Sequence, residues 1–482
     1  MRRKRLLPLS ETYFGLYPRH LSMIAGFLLL MFAMLFLALR FHITPLQWLI
    51  PNFVVVYLFF QAVMMRERAY FKFQSHILFE KRLFWQAFLV RIFALFLFVI
   101  IAQLTTGRSF YVGAVDSARY YRVAAGVADV FWNAGPQHIF AYLFEEYSAI
   151  DNHGPSLFIG LFFAFTFTNV IWGKIFIVFV GAWSVVFIYR VALLITDVPT
   201  ARLAGWLAAF MPLSLFYDTV YLKESFVVFL TSYAVYASTR IIVTGGFNFW
   251  RVVRLILAVS AIFLFRAAAG AVIVTSLSVF FLVNNMRGNP VLAWLTGVIV
   301  IFSFIFMLNA TGRVDDIITK IEGGAEHQAD ARIGQVERQT AWSDLALGPV
   351  FLVFSHFAPF PAMVNLSPPW GHDATYYWIS GLIVWNILAL FALLGIWRLI
   401  RENPRKSFMV NGYTVGLTIV LGLTAMFTSV RMGWTVIPMM MIPVAVGLRH
   451  YRKPFWFYLT FGIALMFILA WNLFRAIGRG VM

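Results

Sequence analysis

The sequence predicts an all-α polytopic membrane protein with about 13 transmembrane helices. Of its 482 residues, 61% are hydrophobic and only 12% are charged, and the mean hydropathy is +0.82. Soluble domains carry roughly twice that charged fraction, so this chain has too little polar surface to cover itself in water. The composition therefore excludes a soluble globular enzyme, a disordered chain and a fibrous protein. The absence of cysteine excludes disulfides, thiolate metal sites and thiol catalysis.

Apolar runs of about 20 residues mark the predicted spans, because a helix rises ~1.5 Å per residue and a bilayer core measures ~30 Å. The first run follows MRRKR without a small-residue cleavage site, which indicates an anchor rather than a removed signal peptide. The run 155–170 is short and begins with Pro155, so we expect an interfacial or re-entrant helix there. The predicted spans are 21–39, 45–64, 84–104, 171–195, 201–219, 225–243, 253–265, 268–285, 290–308, 377–397, 409–428, 432–448 and 454–474.

The distribution of basic residues orients these spans. With the N-terminus in the cytoplasm, most of the 38 lysine and arginine residues lie in cytoplasmic segments, whereas most of the 20 acidic residues lie outside. Such a bias is typical of membrane proteins, and the basic residues then face anionic lipid headgroups. The net charge of +18 therefore needs no nucleic-acid partner. A crossing at 155–170 would invert every later loop, unless 253–285 formed a single span.

The predicted spans form one membrane domain with three parts. A two-span extension covers 1–83, a core module covers 84–285, and a C-terminal membrane region covers 286–482. Two large outer loops, at 105–170 and 309–376, contain apolar aromatic stretches that predict helices lying in the membrane interface.

The first outer loop has the densest set of ionisable residues. Asp116, in GAVDSARYY, follows the outer end of the third span, close to the expected depth of a lipid phosphate. Its carboxylate could deprotonate an attacking hydroxyl, or it could cap a helix that starts at Ser117. Four further residues could bind a cation or sugar hydroxyls, or could form a solvated loop face: Glu145, Glu146, Asp151 and His153.

Other charged residues lie at predicted outer helix ends. Lys223 and Glu224, in YLKES, either neutralise each other or serve a phosphate group and the reaction centre. Arg266 interrupts an apolar stretch that would measure ~45 Å as one helix, too long for a single crossing. We expect two helices separated by a recessed arginine, which can bind phosphate bidentately or simply reach the membrane surface. Arg431 is a second phosphate-binding candidate, and it too could simply reach the membrane surface from a helix end.

Signatures of several soluble enzyme classes are missing from the chain. The sequence has no P-loop, no dinucleotide-binding glycine pattern, no HExxH and no GxSxG. The large loops and most acidic residues are predicted to lie outside, where nucleotide sugars are not available. A transferase with this topology would need a donor carried by a lipid.

Several motifs together resemble one family. They are GAVDSARYY at 113–121, HGPSL at 153–157 and ARLAGWLAAFMPLSLFYDTVYLKES at 201–225, with a weaker match in SVRMGWTVIPMMMIPVAVGL. This order is similar to that of the C-type glycosyltransferases, the polytopic superfamily that includes protein mannosyltransferases, aminoarabinose transferases and oligosaccharyltransferases. The resemblance covers roughly 84–285 and implies a fold of that type. It also implies inverting transfer from a polyprenyl-phosphate-linked sugar on the outer face.

The resemblance assigns roles to residues of this chain. Asp116 would be the catalytic base, and Lys223 or Arg266 would meet the donor phosphate. Apart from the resemblance, Glu224 is a second catalytic candidate, and Tyr120 is a substrate-binding candidate together with His153 and Arg431. The chain departs from the family pattern in having one aspartate in place of an acidic pair, Gly154 in place of a proline, Lys-Glu in place of an acid pair, and two additional early spans.

These departures leave several functions open. The leading expectation is a glycosyltransferase of cell-envelope glycan assembly in a bacterial inner membrane, with a glycan, lipid or protein acceptor. Alternatives are a polysaccharide polymerase of the O-antigen or exopolysaccharide type that uses a diphosphate-linked oligosaccharide, a lipid-linked substrate flippase, and a non-catalytic scaffold. No redox cofactor is implied and no metal site is assigned, although the acidic residues of the first loop leave a divalent metal open.

Overall fold

The computed structural model describes residues 18–39, 46–69, 75–107, 115–147, 152–244, 248–285, 356–363, 379–423, 433–451 and 453–477. Within these ranges the chain is helical and contains no strand. The helices are α1 (Pro18–Leu39), α2 (Leu46–Ala69), α3 (His76–Thr106), α4 (Val115–Asn133), α5 (Ile139–Glu146), α6 (His153–Ala164), α7 (Val170–Ile195), α8 (Val198–Phe210), α9 (Pro212–Tyr217), α10 (Glu224–Thr244), α11 (Phe249–Phe265), α12 (Ala267–Asn285), α13 (Ile379–Glu402), α14 (Pro404–Leu423), α15 (Ile437–His450) and α16 (Pro454–Ile477).

Six of the described helices are long and apolar enough to cross a membrane, and they lie in α1, α3, α7, α10, α13 and α16. This finding confirms the all-helical membrane class, whereas the count of 13 crossings stays a prediction. The predicted span 290–308 and most of the second outer loop lie outside the described residues. The helix predicted at 155–170 is α6, whose 12 residues measure ~18 Å and cannot cross the bilayer alone.

The span predicted at 201–219 is not one continuous helix. It is divided into α8 and α9 at Met211, whose backbone has left the helical conformation (φ −52°, ψ 116°). The physical reason is Pro212, which lacks an N–H and disfavours helical geometry in the preceding residue. The hydropathy of this segment is continuous, so apolar length alone hides the break.

The contacts between helices define one end of the bundle. The Glu80–Arg190 ion pair and the Phe79–Tyr189 ring contact join the start of α3 to the end of α7, so these helices are antiparallel. The end of α3, helices α4 to α6 and the start of α7 therefore share one end, which we call the loop end. Helix α10 runs parallel to α7, because Phe226 packs near Phe176 in their first halves.

Glycine allows the backbones of α13 and α15 to approach closely. A Cβ atom at Gly395 would lie 1.8 Å from the carbonyl oxygen of Pro443, and one at Gly447 would lie 2.1 Å from that of Phe391. Small residues at helix interfaces permit such approach in membranes, where packing rather than water exclusion drives helix association. These two contacts therefore fix the distance between α13 and α15.

We predict that Gly447→Ala lowers the free energy of unfolding by about 1–3 kcal/mol, because the added methyl group forces the two backbones apart. The measurement is the melting temperature of the purified protein in detergent. The matched control is Gly462→Ala in α16, where a Cβ atom would meet nothing within 4 Å. Equal melting temperatures for the two variants would contradict the prediction.

Candidate functional site

A buried ion pair joins two helix ends at the loop end of the bundle. The Nη2 atom of Arg266 donates a hydrogen bond to Oε1 of Glu224 at 2.9 Å, and their side chains are 9% and 0% exposed. Glu224 lies in the first turn of α10, where the helix dipole favours an anion. Arg266 caps the C-terminus of α11, where the dipole favours a cation. Both charges therefore suit their positions in the fold.

The break at Arg266 confirms the prediction that this apolar stretch forms two helices. Helix α11 ends at Phe265 because Arg266 is extended (φ −161°, ψ 99°), and α12 begins at Ala267. The Nη1 atom of Arg266 is buried and has no hydrogen-bond partner within the described part of the chain. The guanidinium therefore retains a donor for a further acceptor.

A second contact brings Lys223 and Tyr120 to one amide. The Nζ atom of Lys223 donates to Oδ1 of Asn152 at 2.7 Å, and the hydroxyl of Tyr120 donates to the same oxygen at 3.1 Å. Asn152 precedes the first residue of α6. Asn152 is not among the residues predicted from the sequence, because it is a neutral amide among the charged residues of IDNHGP.

Close packing at Gly154 joins the two contacts. A Cβ atom at Gly154 would lie 2.7 Å from the ring of Phe265, the residue before Arg266. The Phe265 ring also stands 5.4 Å from that of Phe158 and 5.3 Å from that of Phe226. The start of α6, the start of α10 and the end of α11 therefore meet around one ring. The Phe265 ring therefore leaves no room for a side chain at position 154, which explains the glycine there.

Asp116 stands at the edge of this group. It is exposed and lies in the first turn of α4, one helical turn before the buried Tyr120. Residues four apart share one side of a helix, so Asp116 and Tyr120 lie on the same side of α4. The predicted base is thus exposed on the surface of the protein, whereas the Glu224–Arg266 pair is enclosed within it.

The other predicted loop residues have different surroundings. His153 is fully buried, and its ring packs against the rings of Phe144 at 4.8 Å and Tyr147 at 5.9 Å. Glu145 is exposed, and the backbone carbonyl of Glu146 accepts a hydrogen bond from Arg119. His153 is therefore packed among aromatic rings, whereas the side chain of Glu145 is exposed. The remaining candidates, Asp151 and Arg431, lie outside the described residues.

Tyr147 closes the packing beside Tyr120. Burial raises the pKa of Tyr147 to about 12, which further disfavours ionisation of its phenol. Its hydroxyl is 2.8 Å from Oγ of Ser156 in α6, and the guanidinium of Arg119 lies 4.8 Å from its ring centroid. Tyr147 therefore connects α4 and α6 and supports the position of Tyr120.

A second buried ion pair lies deeper in the bundle and was not predicted. The Nε atom of Arg91 in α3 donates to Oδ2 of Asp218 at 2.7 Å, and the side chains are 1% and 3% exposed. Arg91 lies within the predicted span 84–104, and a charge inside a span indicates structural or functional importance. Its partner could not be inferred, because Asp218 lies 127 residues later in the chain.

No group of three or more histidine, cysteine, aspartate or glutamate residues that could hold a metal occurs among the described residues. Comparison with known protein families found no match, and neither did comparison with curated proteins. The resemblance to the C-type glycosyltransferases therefore rests on the sequence motifs alone.

We predict that Gly154→Ala destabilises the protein by about 1–3 kcal/mol, because the methyl group would displace the Phe265 ring. The experiment is a double-mutant cycle on melting temperature with Phe265→Leu, which makes room for the methyl group. We expect the double variant to be more stable than the sum of the two single changes predicts. Strict additivity would show that the two residues do not meet.

Proposed function

We propose that this protein is a membrane glycosyltransferase that moves a sugar from a polyprenyl-phosphate-linked donor to an acceptor at the loop end. The observation that supports the proposal is the presence of two enclosed cations and an exposed acid at the same end of the bundle. Lys223 and Arg266 are bound to Asn152 and Glu224, two anchors close together in the fold, and Asp116 is exposed one turn from Tyr120. Enclosed cations stabilise phosphate charge more strongly than solvated ones.

The proposed reaction is a single displacement at the anomeric carbon. The acceptor hydroxyl gives its proton to the carboxylate of Asp116 while its oxygen forms a bond to that carbon. The bond between the anomeric carbon and the donor phosphate oxygen breaks, and the configuration inverts. The electron pair remains on the phosphate, where Arg266 and Lys223 stabilise the added negative charge. These cations supply the positive charge, so the proposal requires no metal.

The contacts of each side chain favour a division of roles. Glu224 is fully enclosed and accepts a hydrogen bond from Arg266, which fits a residue that holds the guanidinium rather than a base that meets the acceptor. The Oδ1 atom of Asn152 accepts from the ammonium group of Lys223, and the hydroxyl of Tyr120 donates to the same oxygen. Asp116 is the accessible carboxylate and fits the base.

The proposed setting is a bacterial inner membrane, with the N-terminus in the cytoplasm and the loop end outside. The distribution of basic residues supports this orientation. The product would be a cell-envelope glycan, with a glycan, lipid or protein as acceptor. A polymerase that transfers an oligosaccharide from a diphosphate carrier would use the same cations and the same base.

A transporter of lipid-linked substrates is the second candidate. The observation that favours it is the Arg91–Asp218 pair inside the bundle, beside the broken helix α8–α9. Broken helices and internal charges are typical of substrate sites in transporters. Sugar transfer with release of the lipid phosphate distinguishes the enzyme from a transporter, which moves its substrate unchanged.

We predict that Asp116→Asn reduces sugar transfer at least ~100-fold, since general-base catalysis contributes about 10²–10⁴ in rate. The assay is release of polyprenyl phosphate from a lipid-linked donor extract by the purified protein. The matched control is Asp129→Asn, because Asp129 is also an exposed acid of α4. Full activity of Asp116→Asn would remove this residue as the base.

We predict that Arg266→Lys weakens donor binding or turnover by about 10-fold and Arg266→Met by about 10²–10³-fold, the usual effect of losing one donor to a developing anion. Lysine keeps the charge but loses the planar pair of donors. Because Arg266→Met also removes the partner of Glu224, Glu224→Gln/Arg266→Met serves as the folding control. Donor affinity equal to that of the unaltered protein in Arg266→Met would refute the phosphate role.

A further inference from the structure

The break between α8 and α9 leaves two backbone carbonyls without their usual helical donors. The last hydrogen bond of α8 runs from the amide of Met211 to the carbonyl of Leu207 at 3.0 Å. The next carbonyl along, Ala208, would accept from residue 212, which is a proline without an N–H. The carbonyl of Ala209 follows it at the helix end. Carbonyls enclosed in a membrane protein need other partners.

Arg91 supplies these partners from the neighbouring helix α3. Its Nη1 atom donates to the carbonyl of Ala209 at 3.0 Å and its Nη2 atom donates to that of Ala208 at 3.5 Å. Nη1 also reaches the carbonyl of Ala87, one turn earlier in α3, at 3.2 Å. A cation at this position also opposes the negative end of the α8 dipole. Arg91 is therefore the side-chain cap of the broken helix.

The Nε donor of Arg91 holds the end of α9. Asp218 is the C-cap of α9, where the helix dipole disfavours a carboxylate, and the Nε atom of Arg91 binds it at 2.7 Å. Helix α7 leaves room for this carboxylate at Gly181, where a Cβ atom would lie 2.5 Å from it. One guanidinium thus fixes both the end of α8 and the end of α9.

The segment held in this way leads directly to the candidate site. Residues 218–225 are all buried, and they connect α9 to Lys223 and Glu224. The turn between α9 and α10 contains few backbone hydrogen bonds. One of them runs from the amide of Leu222 to the carbonyl of Val220 at 3.0 Å. At its far end the hydroxyl of Ser225 binds the carbonyl of Tyr217 at 3.2 Å. The position of this turn therefore depends on its anchors.

We infer that Arg91 is a positioning residue. Through Asp218 and the carbonyls of α8 it fixes the turn 218–223, and this turn sets where Lys223 and Glu224 meet Asn152 and Arg266. The inference rests on the proposed function only where it concerns phosphate binding. The role of Arg91 in fixing the turn 218–223 does not depend on which anion binds.

The test compares Arg91→Met, Arg91→Lys and Asp218→Asn with the unaltered protein by two measurements. Hydrogen–deuterium exchange reports the opening of 208–225, and the binding of farnesyl phosphate in detergent reports the cation site. Phe27→Ala is the matched control, because it removes a buried ring stacked 4.9 Å from that of Phe461, on helices α1 and α16. It lowers stability without touching the turn.

We expect Arg91→Met to increase exchange within 208–225 by about tenfold or more, as local opening becomes less costly, and to weaken farnesyl phosphate binding by about tenfold. Arg91→Lys should lie between, since lysine has three donors in place of five. Phe27→Ala should change neither quantity. If Arg91→Met lowers the melting temperature but matches Phe27→Ala in both measurements, Arg91 is only a stabilising residue and the inference is overturned.

Two further outcomes separate this inference from the proposed function. If the unaltered protein does not bind farnesyl phosphate, the phosphate role of Lys223 and Arg266 fails. The exchange data then decide alone: an increase confined to 208–225 retains Arg91 as a positioning residue, and its absence overturns the inference. If Arg91→Met does not fold, Asp218→Asn and Arg91→Lys provide the same comparison with smaller changes.

Discussion

Hydrocarbon offers no hydrogen bonds, so each interruption of a membrane helix requires partners from elsewhere in the protein. This constraint governs the region between α8 and α12. The interruption at Pro212 is satisfied by the guanidinium of Arg91, which binds the carbonyls of Ala208 and Ala209. The interruption at Arg266 brings a guanidinium to the carboxylate of Glu224. At each of these two interruptions the guanidinium group of an arginine therefore lies beside a helix end.

The same constraint explains the arrangement of charge at the loop end. A helix N-terminus attracts an anion and a C-terminus attracts a cation. Glu224 is the first residue of α10 and Arg266 is the C-cap of α11, so each helix dipole stabilises the charge beside it. This stabilisation adds to the attraction between the two side chains. Breaking a buried pair by removing one partner typically costs about 3–5 kcal/mol, because the other charge stays buried. The Glu224–Arg266 pair is thus both a structural contact and a source of enclosed positive charge.

Apolar length and charge predicted the six described helices that are long enough to cross a membrane, and the break at Arg266, because both signals are local in the sequence. The prediction of one continuous span at 201–219 was wrong, because the apolar stretch continues through Pro212 and its length hides the break. His153 was selected for its chemistry, but the aromatic rings of Phe144 and Tyr147 enclose it. Asn152 and Asp218 acquire their importance only from contacts with distant residues. Partners that the fold brings together cannot be read from one sequence.

The two buried ion pairs have different capacities for chemistry. Arg91 donates to Asp218 and to three carbonyls, which uses both terminal nitrogens and Nε in contacts within the protein. A group with four contacts inside the protein suits a fixed support, whereas a transport path needs polar groups that exchange protein partners for the substrate. Arg266 differs, because its Nη1 atom is buried without a hydrogen-bond partner in the described part of the chain. Of the two arginines, Arg266 is therefore the one suited to receive an anionic ligand, and Arg91 is the one suited to hold the backbone that presents it.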